Sequence, residues 1–254
     1  MKHLDLFSGI GGFALAAGWA GVETVAFAEV DAYASGVLAK NFPRVPNLGD
    51  VRLLTRHQFP YDYPDLITAG FPCQPFSKIG KRQAEDDARD LWPETRRILQ
   101  DFRPAWFIGE NVAGIVTLAL DRVCNDLEED GYAVQPLLIP AGAVGARHRR
   151  ERVWILAHRI GEGLEGHPRH EPITATGRQE PHGPACQSRL RPRLDPWVTE
   201  PDVDRVANGI PRRVDRIKAL GNAIVPQVAY QLIVSIKQLQ LHDSSRPLQS
   251  QEIL

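Results

Sequence analysis

Cysteine is scarce. Only Cys73, Cys124 and Cys186 occur in 254 residues, far apart and without a CxxC pair. So few and so scattered a set argues against a disulfide framework and a zinc site, and it suits a reducing cytoplasm. No apolar run approaches the ~20 residues that span a bilayer. The opening MKHLDLF lacks the layout of a secretory signal. There is no GxxxxGK(S/T) phosphate loop and no cluster of cations beside the N-terminal glycines, which disfavours a ligand dominated by phosphate charge. The expectation is a chain without metal, membrane segment or internal repeat.

What is present is ordinary in bulk and uneven in detail. Hydrophobic residues make up 43% and charged residues 24%, as in a soluble globular domain. The net charge of −1 conceals an asymmetry. Residues 1–146 carry 13 Lys/Arg against 19 Asp/Glu, whereas residues 147–218 carry 15 against 10. A basic segment in a near-neutral chain is a candidate polyanion face, although mixed charge is more often plain solvated surface.

Up to about residue 158, strand and helix patterns alternate. Strands are expected over 3–7, 23–29, 64–71, 104–110, 132–141 and 150–158. Helices are expected over 11–21, 31–42 (with Asp31 as N-cap), 91–102 and 114–131. This rhythm implies an α/β fold, a mostly parallel doubly wound sheet with helices on both faces. Residues 159–212 break it, being rich in Pro, Gly, His and Arg; a helix over 226–240 follows, and 241–254 reads as a flexible tail. The expected organisation is a catalytic domain over 1–158, an irregular lobe over 159–212, and a return to the first domain over 213–240.

In such sheets chemistry gathers at the carboxyl ends of strands. FSGIGGF (7–13) turns from the first strand into a helix whose N-terminus offers free N–H groups. Glu29 closes the second strand, where a ribose-binding acid belongs, so an adenosyl ligand is favoured while a dinucleotide stays open. In GFPCQPFS (70–77), Cys73 lies between Pro72 and Pro75. Either this is a turn holding a small apolar residue, or a thiol held rigidly towards a substrate. Glu110 of GENV is a functional acid or a strand-end carboxylate, and Arg150 and Arg152 are functional or edge charges that deter aggregation.

Taken together and in order, these pieces resemble the C5-cytosine DNA methyltransferase family, dependent on S-adenosyl-L-methionine. The resemblance implies a Rossmann-like class I methyltransferase domain with a small target-recognition lobe. It implies cofactor-binding roles for Phe7, Gly9, Gly11, Gly12, Glu29, Asp50, Val51 and Asn222 (the last within LGNAIVPQVA, 220–229). It implies Cys73 as nucleophile, with Glu110, Arg150 and Arg152 catalytic and Pro72 and Asn111 beside the target base. The sequence departs from the family pattern at His148, where glutamine is usual, at Asp90, where glycine is common, and in its short lobe. The implied partner is double-stranded DNA bound by a monomer, in a restriction–modification or phage self-protection setting. A tRNA cytosine methyltransferase and a catalytically silent nucleic-acid-binding module are the competing readings.

Carbon 5 of cytosine is a weak nucleophile. Addition of a thiolate at C6 pushes electron density to C5. On this reading Glu110 would hold the amino group and N3, Arg152 would orient the ring through O2, and the base must be flipped out of the stack.

Overall fold

Apolar residues of the strands point alternately to two faces of one sheet, and each face is covered by helices. The computed structural model describes residues 1–59, 63–72, 90–161 and 212–244, and the structural statements below concern these residues. The strands are β1 (Lys2–Leu6), β2 (Glu23–Ala28), β3 (Leu66–Ala69), β4 (Trp106–Val112), β5 (Tyr132–Pro140) and β6 (Glu151–Arg159). The helices are α1 (Gly12–Trp19), α2 (Ala32–Asn41), α3 (Trp92–Phe102), α4 (Ile115–Leu118), α5 (Leu120–Glu129), α6 (Arg213–Asn222) and α7 (Pro226–Ser244).

The sheet order is β2-β1-β3-β4-β6-β5. β1 pairs in parallel with β2 and β3, and β3 with β4. The expected mostly parallel sheet is therefore present, with one departure: β6 runs antiparallel to both β4 and β5. Along β4 the alternation is plain. Phe107 joins the core built with Ile98, Leu99 and Phe102 of α3 and with Val123 and Leu127 of α5. Trp106 and Ile108 join the opposite core, with Phe13, Ala16 and Ala17 of α1 and with Val228, Leu232 and Ile236 of α7. Each of these buried large side chains is worth roughly 1.5–3 kcal/mol.

Local signals explain the element ends. Asp31 caps α2 as expected, its Oδ1 accepting the N–H groups of Tyr33 and Ala34 at 3.0 Å each. The single helix expected over 114–131 is instead divided at Ala119, whose φ is −151°. In a continuous helix Ile115 and Leu127 would stand about 120° apart around the axis. The break resets the phase, and both are fully buried.

The C-terminal segment also differs from expectation. Residues 213–222 form a helix of their own, and α7 continues to Ser244, into the segment expected as tail. By length and composition alone the stretch Val214–Gln240 reaches the threshold for crossing a membrane. It is two helices, however, and α7 buries Val228, Ala229, Leu232, Ile233 and Ile236 in the core. The expected recognition lobe lies almost wholly outside the described residues, as do Cys73, Cys186 and residues 245–254.

Candidate active site

Strands β1, β2, β3 and β4 end on one side of the sheet, and a cavity of about 520 Å³ opens there. At its floor is the turn after β1. Phe7, a non-glycine residue, holds a left-handed φ of 53°, and Gly9 has the same φ. Left-handed backbone at a bulky residue costs of order 1–3 kcal/mol and persists only where the surroundings enforce it. Here Ser8 enforces it: its hydroxyl donates to the Asp5 carbonyl at 2.6 Å, and its carbonyl accepts from Gly11 N–H at 2.9 Å.

The glycines of this turn differ in role. Gly9 lines the cavity, and a Cβ there would meet nothing within 4 Å. Gly11 and Gly12 do not line it. A Cβ on Gly11 would come within 2.6 Å of the Phe42 ring, and one on Gly12 within 2.6 Å of Ile224 Cγ1. Gly12 thus permits close packing of the segment after α6 onto the start of α1.

Glu29 stands just beyond β2 and lines the cavity. Its Oε2 accepts Gly9 N–H and its Oε1 accepts Asp31 N–H, each at 2.7 Å. Asp50 and Val51, expected at the same ligand, lie outside the lining. The Asp50 carboxylate caps the turn Val51–Leu53 and grips the Arg52 guanidinium, which lowers its pKa, while Val51 is buried in the core. Arg97 of α3 pins that turn by donating to the carbonyls of Val51 (2.8 Å) and Leu54 (3.0 Å).

Glu110, Asn111, Arg150, Arg152 and Pro72 meet at the other end of the same cavity. Glu110 is only 8% exposed. Burial pushes its pKa up, and the attraction of Arg152 and Arg150 offsets this only in part. Arg152 Nε lies 3.0 Å from Glu110 Oε1. Register explains the meeting: Val112 of β4 pairs with Arg152 of β6, so the antiparallel strand brings its arginine to the end of β4. Asn111 donates from Nδ2 to the Phe71 carbonyl at 2.9 Å, tying β4 to the backbone that leads into Pro72 and Cys73.

The remaining wall is α6, which brings Asp215, Lys218, Ala219, Gly221 and Asn222 to the cavity. Two contacts hold it. Arg150 Nη2 donates to the carbonyls of Gly221 (2.8 Å) and Ala223 (2.6 Å), satisfying the end of the helix. Lys218 Nζ donates to Asp31 Oδ2 at 2.8 Å. Sequence reasoning found Asn222 but missed Lys218 and Asp215, which helical spacings of four and seven residues from Asn222 would have suggested only once a helix was expected there. The cavity therefore has an acid-lined end, at Glu29 and Asp31, and an end where a buried carboxyl of raised pKa faces a guanidinium.

The sequence profile of the C-5 cytosine-specific DNA methylase family matches residues 1–192. The type II methyltransferase M.BanI of Aneurinibacillus aneurinilyticus is 41% identical over 167 residues, covering 61% of this chain and 38% of the relative. M.BsuFI of Bacillus subtilis is 32% identical over 203 residues, covering 75% of this chain and 49% of the relative. The chain thus spans less than half the length of these relatives. Among solved structures, a variant of Spodoptera frugiperda DNMT2 superposes with a TM-score of 0.57 at 28% identity, covering 67% of this chain and 53% of that one.

Proposed function

This chain belongs to the C-5 cytosine-specific DNA methylase family, and on that premise we propose that it transfers a methyl group from S-adenosyl-L-methionine to carbon 5 of cytosine in double-stranded DNA. The observation that carries the reading is the single cavity joining Phe7, Gly9 and Glu29 to Glu110, Arg152 and Pro72. Its volume suits a nucleoside-sized ligand beside a base. The Glu29 carboxylate retains lone pairs for ribose hydroxyls, and the acids around it favour a sulfonium charge. Phe7, Gly9, Glu29 and Asn222 would hold the cofactor. When bound, it supplies an electrophilic methyl group.

The chain's own residues do the rest. The Cys73 thiolate, next in sequence to Pro72, adds to C6 of the flipped base, forming the Sγ–C6 bond. Glu110, with its raised pKa, hands its proton to N3 as the ring takes up charge. Arg152 holds the ring through O2 and balances the Glu110 carboxylate left behind. After C5 is alkylated it gives its proton to water, the C5=C6 double bond re-forms as the Sγ–C6 bond breaks and returns the Cys73 thiolate, and the N3 proton returns to Glu110. Residues 159–212 would read the DNA sequence. The type II names of the relatives support a modification role beside a restriction enzyme, in the cytoplasm.

Tritiated-methyl transfer to DNA and to tRNA tests the substrate, and 5-fluorocytosine DNA tests the covalent step. The expected result is transfer to DNA and a trapped adduct through Cys73, both lost in Cys73→Ser while cofactor binding persists. Transfer to tRNA alone, or an adduct at Cys124, refutes the reading.

A further inference from the structure

β2 ends at Ala28, so Glu29 lies one residue beyond the last strand position. Nothing in the β1–β2 ladder holds it. The register of that pair closes at Leu6 opposite Ala28. A residue in this place would ordinarily be free to turn away from the cavity. Yet both its backbone groups and both its carboxylate oxygens are engaged.

One side chain holds both backbone groups, and the Ser35 hydroxyl of α2 adds a longer contact to the carbonyl at 3.3 Å. Asn47 Oδ1 accepts Glu29 N–H at 3.0 Å, and Asn47 Nδ2 donates to the Glu29 carbonyl at 3.0 Å. The amide thus imitates a peptide of a neighbouring strand. It can do so because the chain on either side of it is docked on β2. Phe27 N–H donates to Pro46 O at 2.9 Å, and Leu48 N–H donates to Phe27 O at 2.8 Å. That forms a one-residue parallel bridge between Phe27 and Asn47. The side chain extends the bridge to Glu29, two positions beyond Phe27, which the backbone bridge does not reach.

The same amide makes two further contacts. Nδ2 donates to Ser35 Oγ of α2 at 3.1 Å, and Oδ1 accepts Gly49 N–H at 3.1 Å. Gly49 precedes Asp50 and has a φ of 82°. Asn47 therefore joins three things: the acid at the end of β2, the first turn of α2, and the start of the Asp50 turn.

We infer that Asn47 is a positioning residue for the cofactor, holding the Glu29 carboxylate at the ribose by clamping the Glu29 backbone. This rests on the reading of Glu29 as the ribose-binding acid. Asn47 does not line the cavity, so it reaches the ligand through the residues it holds, of which Glu29 lines the cavity.

The test is calorimetric binding of S-adenosyl-L-homocysteine to wild type, Asn47→Ala, Asn47→Asp, Glu29→Ala and the Asn47→Ala/Glu29→Ala double variant. Loss of two well-formed hydrogen bonds that hold one group should weaken binding by about tenfold. Asn47→Asp keeps the size and both acceptor contacts but cannot donate to the Glu29 carbonyl, so it should fall between wild type and Asn47→Ala. With Glu29 already removed, Asn47→Ala should cost nothing more. In methyl transfer, KM for the cofactor should rise and kcat at saturation should hold within about twofold. Thermal melting separates this from a folding defect, since Asn47 is exposed. Two outcomes overturn the proposal alone while Glu29→Ala weakens binding: Asn47→Ala binding like wild type, or losses that add in the double variant. If Glu29→Ala itself binds like wild type, both the ribose assignment and this proposal fail.

Discussion

The sheet interior contains a carboxylic acid that should make the protein's stability fall with pH in a window where most carboxylates are silent. Asp5 of β1 is fully buried. Its Oδ1 accepts from Thr68 Oγ1 at 2.9 Å, and Thr68 Oγ1 in turn meets His3 Nε2 at 2.8 Å. Because Thr68 gives its proton to Asp5, His3 must donate from Nε2, and its Nδ1 must accept from Thr24 Oγ1 at 2.9 Å. Burial holds the imidazole neutral, with its pKa brought down to about 3. Asp5 Oδ2 has no hydrogen-bond partner. Burial, offset in part by Thr68 and reinforced by the Glu29 charge, pushes Asp5 from 3.8 up to about 8. A group whose pKa rises on folding stabilises the fold at low pH, and the contribution fades as pH climbs to the folded value. Relative to the ionised form, proton binding then contributes about 3 kcal/mol at pH 6 and well under 1 kcal/mol at pH 8. Asp5→Asn keeps the shape and removes the titration. Urea unfolding followed by circular dichroism at several pH values should show wild type losing about 2 kcal/mol relative to Asp5→Asn between pH 6 and pH 8. Other titrating groups are common to both proteins and cancel in the difference. A difference that stays flat across this range would show that Asp5 is not the buried neutral acid argued here.

Three further outcomes follow from the site. Glu110→Gln should slow methyl transfer by about 10²–10⁴-fold with DNA affinity little changed, because the amide still hydrogen-bonds the base but hands over no proton; single-turnover kinetics beside a filter-binding assay would separate the two. Arg150→Ala frees the carbonyls of Gly221 and Ala223, and KM for the cofactor should rise by about tenfold, with Arg150→Lys recovering part of the loss. Gly12→Ala forces a Cβ to within 2.6 Å of Ile224 Cγ1. It should lower stability by about 1–3 kcal/mol, measured by urea unfolding, and adding Ile224→Ala should return part of it.

Much of this fold was legible because its signals are local. The Asp31 cap needs only the next three residues, and its structure is the expected one. The alternation of apolar strands with helices over 1–158 specifies a doubly wound sheet, since each pattern must bury its own face. The turn after β1, Glu29 after β2 and Glu110 late in β4 are strand-end positions, and strand ends converge in any such sheet. What sequence left undecided depends on residues distant along the chain. The reversal of β6 between β4 and β5 sets Arg152 against Glu110, and no window of sequence contains both. Gly11 and Gly12 read as ligand-contacting glycines, yet Phe42 and Ile224 set their need to lack a side chain. Asp50 read as a ligand acid; its contacts here are with Arg52 and the turn it caps, partners that its sequence motif did not announce. The helix α6 shows weak periodicity, and long-range contacts from Arg150 and Lys218 hold it over the cavity. Propensity and patterning act within a few residues and so could be read directly. Which side chain fills the space beside a given backbone is settled only when the sheet closes and brings residues some 20 to 190 positions apart into contact.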